Sequence, residues 1–373
     1  MKYFLIAGEP SGDQHGSNLM KAILNLDPAA EFRFLGGDLM ERVGGKAIIH
    51  IRDLAFMGFT QLVAKAFRIR KNFAACKQAV LSFQPDVVIP VDYGGFNLRL
   101  IKWLRKNQFR SVFYITPKVW AWMPSRANKL ARYADRSLCV LPFETDFLRK
   151  YGVLCDYVGN PVKDYIRPFK DSDPAWLRSA MDLDSRPVVA LLPGSRRQEI
   201  AKILPLMAKM ADKFIEYQFI IGGHGNFTES FYQDLAPGQK IRVIYGKTPE
   251  LLRVSTAALV TSGTATLECA LLGTPQVVCY RTATISWLIA RLLIKVRYIS
   301  LVNLVLGKEC VKELIQFGFT EKNLKASLGN ILTDPLYRQH MADGYSELEG
   351  KLGDQDASAS AAAIVCRMAS ESR

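Results

Sequence analysis

Ser262-Gly263-Thr264-Ala265-Thr266-Leu267-Glu268-Cys269-Ala270-Leu271-Leu272-Gly273-Thr274-Pro275 follows the apolar run Ala257–Val260. The apolar run reads as a buried strand. The segment after it reads as a short helix ending near Gly273, with Pro275 as a stop. Small residues at a strand-to-helix turn leave backbone N–H groups approachable, and a helix N-terminus there favours an anion. Glu268 falls about one turn into the helix. It is one place too late for a capping box with Thr264, and Ala265 is a poor N-cap. A carboxylate so placed can accept hydrogen bonds from ribose hydroxyls; the alternative is an ordinary exposed helix glutamate.

The same strand–turn–helix pattern recurs upstream. Val188–Leu192 reads as a strand, and Pro193-Gly194-Ser195-Arg196-Arg197-Gln198-Glu199 turns into a helix. Glycine flexibility, a serine hydroxyl and two arginines at a helix N-terminus suit a diphosphate. Phe219–Ile221, Ile241–Tyr245 and Gln276–Tyr280 supply further strands, each with a glycine-containing or polar turn nearby. His224 is a lone histidine on a loop and reads as structural.

The N-terminal half repeats the architecture. Residues 1–7 form a strand, Gly8-Glu9-Pro10-Ser11-Gly12-Asp13 a turn, 14–26 a helix and Phe32–Leu35 a strand. This β–turn–α–β order predicts a parallel, doubly wound sheet. The Gly8–Asp13 turn has neither Walker A nor dinucleotide spacing. It still offers amides, Glu9 and Asp13 at the carboxyl edge of a sheet, where ligands of such folds bind. Pro85–Val91 is a buried strand that ends at Asp92, and glycines then open a helix to about Asn107. Asp92 is placed for general-base work or for capping that helix. Val112–Tyr114, Leu138–Leu141 and Asp156–Val158 complete the strands. The polar, Pro-containing stretch 161–174 reads as a linker. The fold class expected is α/β, with two Rossmann-like doubly wound domains facing across a cleft. Their bounds are 1–165 and 166–345, and 346–373 is a C-terminal helix or tail that can cross back.

Whole-chain properties narrow the function. At 373 residues two domains are expected. The opening Met1–Gly8 has too short an apolar run for a signal peptide and flows into the turn, so a cytoplasmic protein is expected. No run of about 20 apolar residues is present, so no membrane-spanning helix is predicted. Seven scattered cysteines with no Cys-x-x-Cys pair argue against a zinc site or disulfide framework and fit a reducing compartment. The formal charge of +14 calls for anionic substrates, an anionic membrane surface or nucleic acid, or is bland excess surface charge. Residues 56–73 put Phe59, Leu62, Val63, Ala66, Phe67 and Phe73 at helical spacing beside Lys65, Arg68, Arg70 and Lys71. Such a helix can lie in a membrane interface or pack in a core with a basic solvated face. Trp287–Ile294, beside Lys295 and Arg297, has the same two readings. The basic residues match no nucleic-acid motif, so no nucleic-acid partner is expected.

Taken together, Ala7–Asp13, Val119–Trp122, Leu192–Arg196, Ser262–Glu268 and Tyr298–Asn303, with Asp92, resemble the lipid-A-disaccharide synthase family from Ala7 to about Ile315. Five such pieces in the right order are specific where any one is weak. The resemblance implies a GT-B glycosyltransferase, peripheral on the inner face of the cytoplasmic membrane of a Gram-negative-type bacterium. It implies inverting, metal-independent transfer of 2,3-diacylglucosamine from UDP to 2,3-diacylglucosamine 1-phosphate (lipid X), with no cofactor. The products are the β-1,6 disaccharide 1-phosphate and UDP. By the same resemblance Asp92 is the essential aspartate. Gly194, Ser195, Arg196, Ser262, Gly263, Thr264, Glu268 and Asn303 fall on the UDP site. Glu9, Ser11, Gly12 and Asp13 are expected at the acceptor. Phe59, Leu62, Val63, Phe67, Arg68, Arg70 and Lys71 are expected at the membrane. The chain departs from the common pattern at Pro10, Gly95 and Val302. The competing readings are another GT-B enzyme (a UDP-GlcNAc transferase on a lipid-linked acceptor, or a UDP-GlcNAc 2-epimerase) and a non-enzymatic basic binder.

Overall fold

A computed structural model describes residues 1–54, 62–284, 287, 288, 291 and 296–371, with the side chains of 54 and 62–68 excluded. The chain divides into two units. One comprises Met1–Pro161 with Asp354–Arg373, the other Val162–Gly353. These bounds differ from the 165 and 345 expected from sequence. Residues 161–170 are the reason. They form a helix, Pro161–Lys170, instead of a linker. A proline at a first helical position loses no hydrogen bond, and Val162 and Ile166 bury an apolar stripe that polarity alone hides.

In the first unit the strands are β1 (Lys2–Ile6), β2 (Glu31–Gly36), β3 (Ile49–His50), β4 (Val87–Pro90), β5 (Val112–Tyr114), β6 (Arg136–Cys139) and β7 (Cys155–Tyr157). Two parallel sheets, β3-β2-β1-β4 and β5-β6-β7, are joined by parallel bridges Val88–Ser111 and Val91–Tyr114. Their order, 3-2-1-4-5-6-7, reverses between β1 and β4. Both strands are buried on both faces, as their uninterrupted apolar runs require. The helix Pro10–Leu26 begins four residues earlier than the sequence reading put it, because Pro10 takes the first helical position. Ser11, Gly12 and Asp13 are therefore its first turn and not a loop. The helix Ala357–Ser370 packs Ala361, Ala362 and Val365 into this unit's core with Leu19 and Ile23. Its small side chains allow close approach to the helix Pro10–Leu26.

The second unit holds one six-stranded parallel sheet. Its strands are β8 (Val188–Leu192), β9 (Gln218–Gly223), β10 (Arg242–Tyr245), β11 (Ser255–Thr261), β12 (Gln276–Tyr280) and β13 (Lys312–Ile315), in the order 10-9-8-11-12-13. Here the order reverses between β8 and β11. In open parallel sheets the crevice outside the carboxyl ends of strands flanking such a reversal is the usual ligand site. Two addresses follow: after Ile6 and Pro90 in the first unit, and after Leu192 and Thr261 in the second.

Candidate functional site

At the reversal point of the second unit lies a cavity of about 260 Å³. Gly194 and Ser195 line it from the β8 turn, and Ser262, Gly263, Thr264 and Ala265 from the β11 turn. Glu268 reaches it from the helix Ala265–Leu271. Gly194 has φ of +110°, a conformation for which only glycine is suited. A Cβ there would run into the Glu199 carboxylate. Burial raises the carboxyl of Glu199, and Arg196 and the amides of the turn oppose that rise. The hydroxyl of Ser262 donates to Ile299 O at 2.7 Å and so fixes the β11 turn. Thr261 Oγ1 is buried, lines the cavity and has no hydrogen-bond partner among the described residues. A buried hydroxyl left without a partner is costly, so it marks a place for a polar ligand. The helix gives Glu268 no capping role: Thr264 is the N-cap residue, with no side-chain bond. Burial pushes the Glu268 carboxyl up to about 7.

Not every expected residue gathers there. Arg196 is exposed as the N-cap residue of the helix Arg197–Ala208 and is not among the residues lining the cavity. Its charge still reaches Glu199 and Tyr280. Asn303 is also not among the residues lining the cavity. It is fully buried, and its amide donates to Val311 O and Glu313 Oε1. It also accepts from the N–H groups of Cys310 and Val311. With its amide so engaged it ties the helix Leu301–Leu306 to β13, away from the cavity lining. His224, read as merely structural, does line the cavity. Its backbone N–H donates to Tyr232 Oη at 2.7 Å, which sets the loop after β9. No sequence signal separated it from an ordinary loop histidine.

At the reversal point of the first unit stands Asp92. Both Asp92 and Tyr93 are left-handed, with φ of +44° and +48°. Two consecutive non-glycine residues in that region store strain, which persists only where surrounding structure imposes it. Asn97 supplies that structure. Its Nδ2 donates to Asp92 O at 2.8 Å and to Val91 O and Ile6 O at 3.3 Å each. The backbone N–H of Asp92 donates to Tyr114 O. Asp92 is half-buried. Burial and the nearby Glu9 charge raise its carboxyl, while Lys118 and the Tyr93 amide lower it. The net effect is a stronger base than a free aspartate.

Glu9 and Ser11 are exposed and Gly12 is buried beside Ala7. Asp13 has partners within the fold. It is 4% exposed, and its carboxylate accepts from the N–H groups of Gly37, Leu39 and Met40 at 2.7–3.1 Å. It caps the helix Asp38–Gly44 from another element and is engaged there. Sequence reasoning also missed Glu144. It is 2% exposed, accepts from Trp120 Nε1 at 2.9 Å and from the amides of Val140 and Leu141, and is pushed up to about 7 by burial.

The membrane-directed residues are only partly described. Phe59 lies outside the described residues, as do the side chains of Leu62, Val63, Phe67 and Arg68. Arg70 and Lys71 are exposed on the helix Leu62–Phe83. Among the described residues no helix is long and apolar enough to cross a membrane. Asp38, Glu41 and His50 stand close enough to share a cation, but Asp38 is already bound by Arg52.

Comparison with known proteins agrees with this architecture. The chain is similar over 98% of its length to the UDP-GlcNAc 2-epimerase from Neisseria meningitidis solved with UDP-GlcNAc. That likeness has a TM-score of 0.68, 15% identity and 99% coverage of that chain. The glycotransferase of kitacinnamycin gives a TM-score of 0.61 at 11% identity, with 98% of each chain covered. At such identity these likenesses establish the fold, that of GT-B glycosyltransferases and the related epimerases. Sequence carries the rest. The chain is 35% identical to the lipid-A-disaccharide synthase of Geobacter metallireducens, covering 100% of this chain and 98% of that one. It is also 35% identical to that of Syntrophus aciditrophicus, covering 99% and 98%. A family model described as Lipid-A-disaccharide synthetase matches residues 3–365. The chain belongs to the lipid-A-disaccharide synthase family and is a glycosyltransferase of lipid A biosynthesis.

Proposed function

We propose that the protein transfers 2,3-diacylglucosamine from UDP to 2,3-diacylglucosamine 1-phosphate, with inversion at the anomeric carbon and without a metal ion. The observation that carries this reading is the cavity holding the unpartnered Thr261 hydroxyl and the Glu268 carboxylate. There Glu268 accepts from the ribose, and the small-residue turns after β8 and β11 cradle the diphosphate. Arg196, exposed at its helix end, offsets charge on the departing UDP. Asp92 takes the proton of the acceptor 6-hydroxyl. The hydroxyl oxygen bonds to C1 as the C1–O bond to the diphosphate breaks, and the bonding pair leaves with UDP. Attack opposite the leaving group inverts C1. Glu9 and Ser11, exposed beside Asp92's end of the sheet, face the acceptor. The exposed Arg70 and Lys71 belong to a surface that meets anionic lipid at the inner face of the cytoplasmic membrane.

The test is to incubate the protein with UDP-2,3-diacylglucosamine and lipid X in the presence of a chelator. Disaccharide 1-phosphate and UDP are the expected products, and Asp92→Asn should cut turnover by about 10²–10⁴-fold. Turnover of UDP-GlcNAc alone would favour an epimerase-like reaction instead.

A further inference from the structure

The turn that carries Asp92 places its strain on the wrong residues for an ordinary turn. Asp92 and Tyr93 are left-handed, at φ of +44° and +48°, while neither of the glycines that follow, Gly94 and Gly95, has a positive φ. Glycine would adopt the left-handed region without strain. A side chain is therefore kept at position 93 where the backbone favours none, and such strain persists only where the surroundings impose it.

The Tyr93 ring shows what imposes it. The ring lies on Gly8 so closely that a Cβ there would overlap its Cγ, Cδ1 and Cε1 atoms. Gly8 is buried and has no positive φ. Glycine is needed at that position for the close approach, not for the backbone. The ring also stacks on Phe96, with centroids 5.4 Å apart and planes at 23°. Phe96 is 5% exposed and meets Phe73 of the helix Leu62–Phe83 edge-on at 5.2 Å. Tyr93 is the N-cap residue of the helix Gly94–Lys106, and Gly8 directly precedes Glu9, the N-cap residue of the helix Pro10–Leu26. The ring thus joins the two strand-to-helix turns at the sheet reversal, one carrying Asp92 and the other Glu9. Asn97 holds the carbonyl of Asp92; the ring holds the residue after it.

We propose that Tyr93 is a positioning residue for Asp92: its ring, seated between Gly8 and Phe96, locks the left-handed pair and fixes where the Asp92 carboxylate points. The inference rests on the reading of Asp92 as the general base, but the contact itself is tested without turnover.

Four variants of the full-length protein are compared by thermal unfolding and by steady-state kinetics. Tyr93→Phe keeps the ring and should match wild type in both. Gly8→Ala drives the ring from its seat and should lower kcat by about tenfold or more, the scale of a small misplacement of a reacting group. Donor KM should stay within about twofold of wild type, a split that general loss of structure would not give. Tyr93→Gly relieves the backbone but removes the ring, and should lower kcat as much. In the double variant Gly8→Ala with Tyr93→Gly, the added methyl has no ring to displace. It should be no slower and no less stable than Tyr93→Gly alone, since contacting residues are not additive. Additive losses in the unfolding midpoint overturn the contact. Full kcat in Tyr93→Gly overturns the positioning role, and a Tyr93→Phe variant as slow as Tyr93→Gly overturns it in favour of the hydroxyl. Failure of the wild type to form disaccharide, with midpoints in the non-additive pattern, would count against the proposed reaction and not against the seating of Tyr93 on Gly8.

Discussion

Asn97 donates its side-chain N–H to the backbone carbonyl of Asp92 at 2.8 Å, and the same amide reaches Val91 O and Ile6 O. One buried side chain thus ties together the two strand ends at which the sheet order reverses. It also holds the left-handed turn that aims Asp92. Asn97→Ala should cost about 1–3 kcal/mol, because it strands buried carbonyls. It should also lower kcat about tenfold or more with little change in donor KM, since the turn can then relax. Urea denaturation and steady-state kinetics check the two parts separately. Full kcat in a destabilised variant would show that the turn holds itself.

Asp13 gives the opposite prediction. Its carboxylate is spent on three amides of the helix Asp38–Gly44 and its approach. Asp13→Ala should lower stability by about 2 kcal/mol, in the range of lost caps and charged hydrogen bonds. The acceptor KM, measured where the variant remains folded, should stay within about twofold of wild type, a shift too small for loss of a direct contact. A large rise in that KM would return Asp13 to the acceptor site.

Gly194 combines a φ of +110° with a Cβ position already filled by Glu199. Gly194→Ala must distort the β8 turn or expel the Glu199 carboxylate. UDP affinity, read by calorimetry, should fall by about tenfold or more, since strain of this kind costs on the order of 1–3 kcal/mol. Unchanged affinity would place the diphosphate elsewhere in the cavity.

Much of this was legible from the chain, and the contacts that were not legible share a cause. Apolar runs flanked by small residues marked β4, β8 and β11, because a strand buried on both faces must be apolar throughout. Asp92 was visible as the first polar residue after such a run, and Ser262–Glu268 as small residues between strand and helix. Asp13 looked the same locally. What separates it is a helix end 24 residues away, which no local pattern encodes. Glu144 and Trp120 are likewise 24 residues apart, and each reads alone as a routine helix-start acid or a core aromatic. Asn303 was assigned by resemblance. Its burial depends on Cys310, Val311 and Glu313, joined to it only in the fold. The helix Pro161–Lys170 was hidden because two prolines, Pro161 at its first position and Pro168 inside it, read locally as breaks.

Arg70 and Lys71 are exposed on the helix Leu62–Phe83, the segment whose upstream residues combine apolar and basic character. A basic residue near an anionic bilayer contributes about 1 kcal/mol. Neutralising both, Arg70→Gln with Lys71→Gln, should weaken binding to phosphatidylglycerol-containing vesicles by roughly 30-fold at low salt. Co-sedimentation measures it, and binding to zwitterionic vesicles should be insensitive to the change. Equal binding by wild type and variant would remove this helix from the membrane surface.

Glu268 sets a pH dependence of definite sign. Burial raises its carboxyl from an ordinary 4.5 to about 7 in the folded protein. Between those values the folded state binds more protons at this site than the unfolded state. Its contribution to stability therefore falls as pH rises from about 4.5 to 7, and is level on either side. Glu268→Gln removes that loss. The variant should match wild type near pH 4.5 and exceed it increasingly up to pH 7, by at most about 3 kcal/mol. Binding runs the other way. A carboxylate that accepts from ribose hydroxyls must be ionised, so the ratio of wild-type to variant UDP affinity should grow as pH rises toward 7 and then level. Thermal unfolding and calorimetry at matched pH values measure both curves. A stabilised variant whose UDP affinity equals wild type at every pH would leave Glu268 a buried acid of the cavity wall with no hold on the nucleotide.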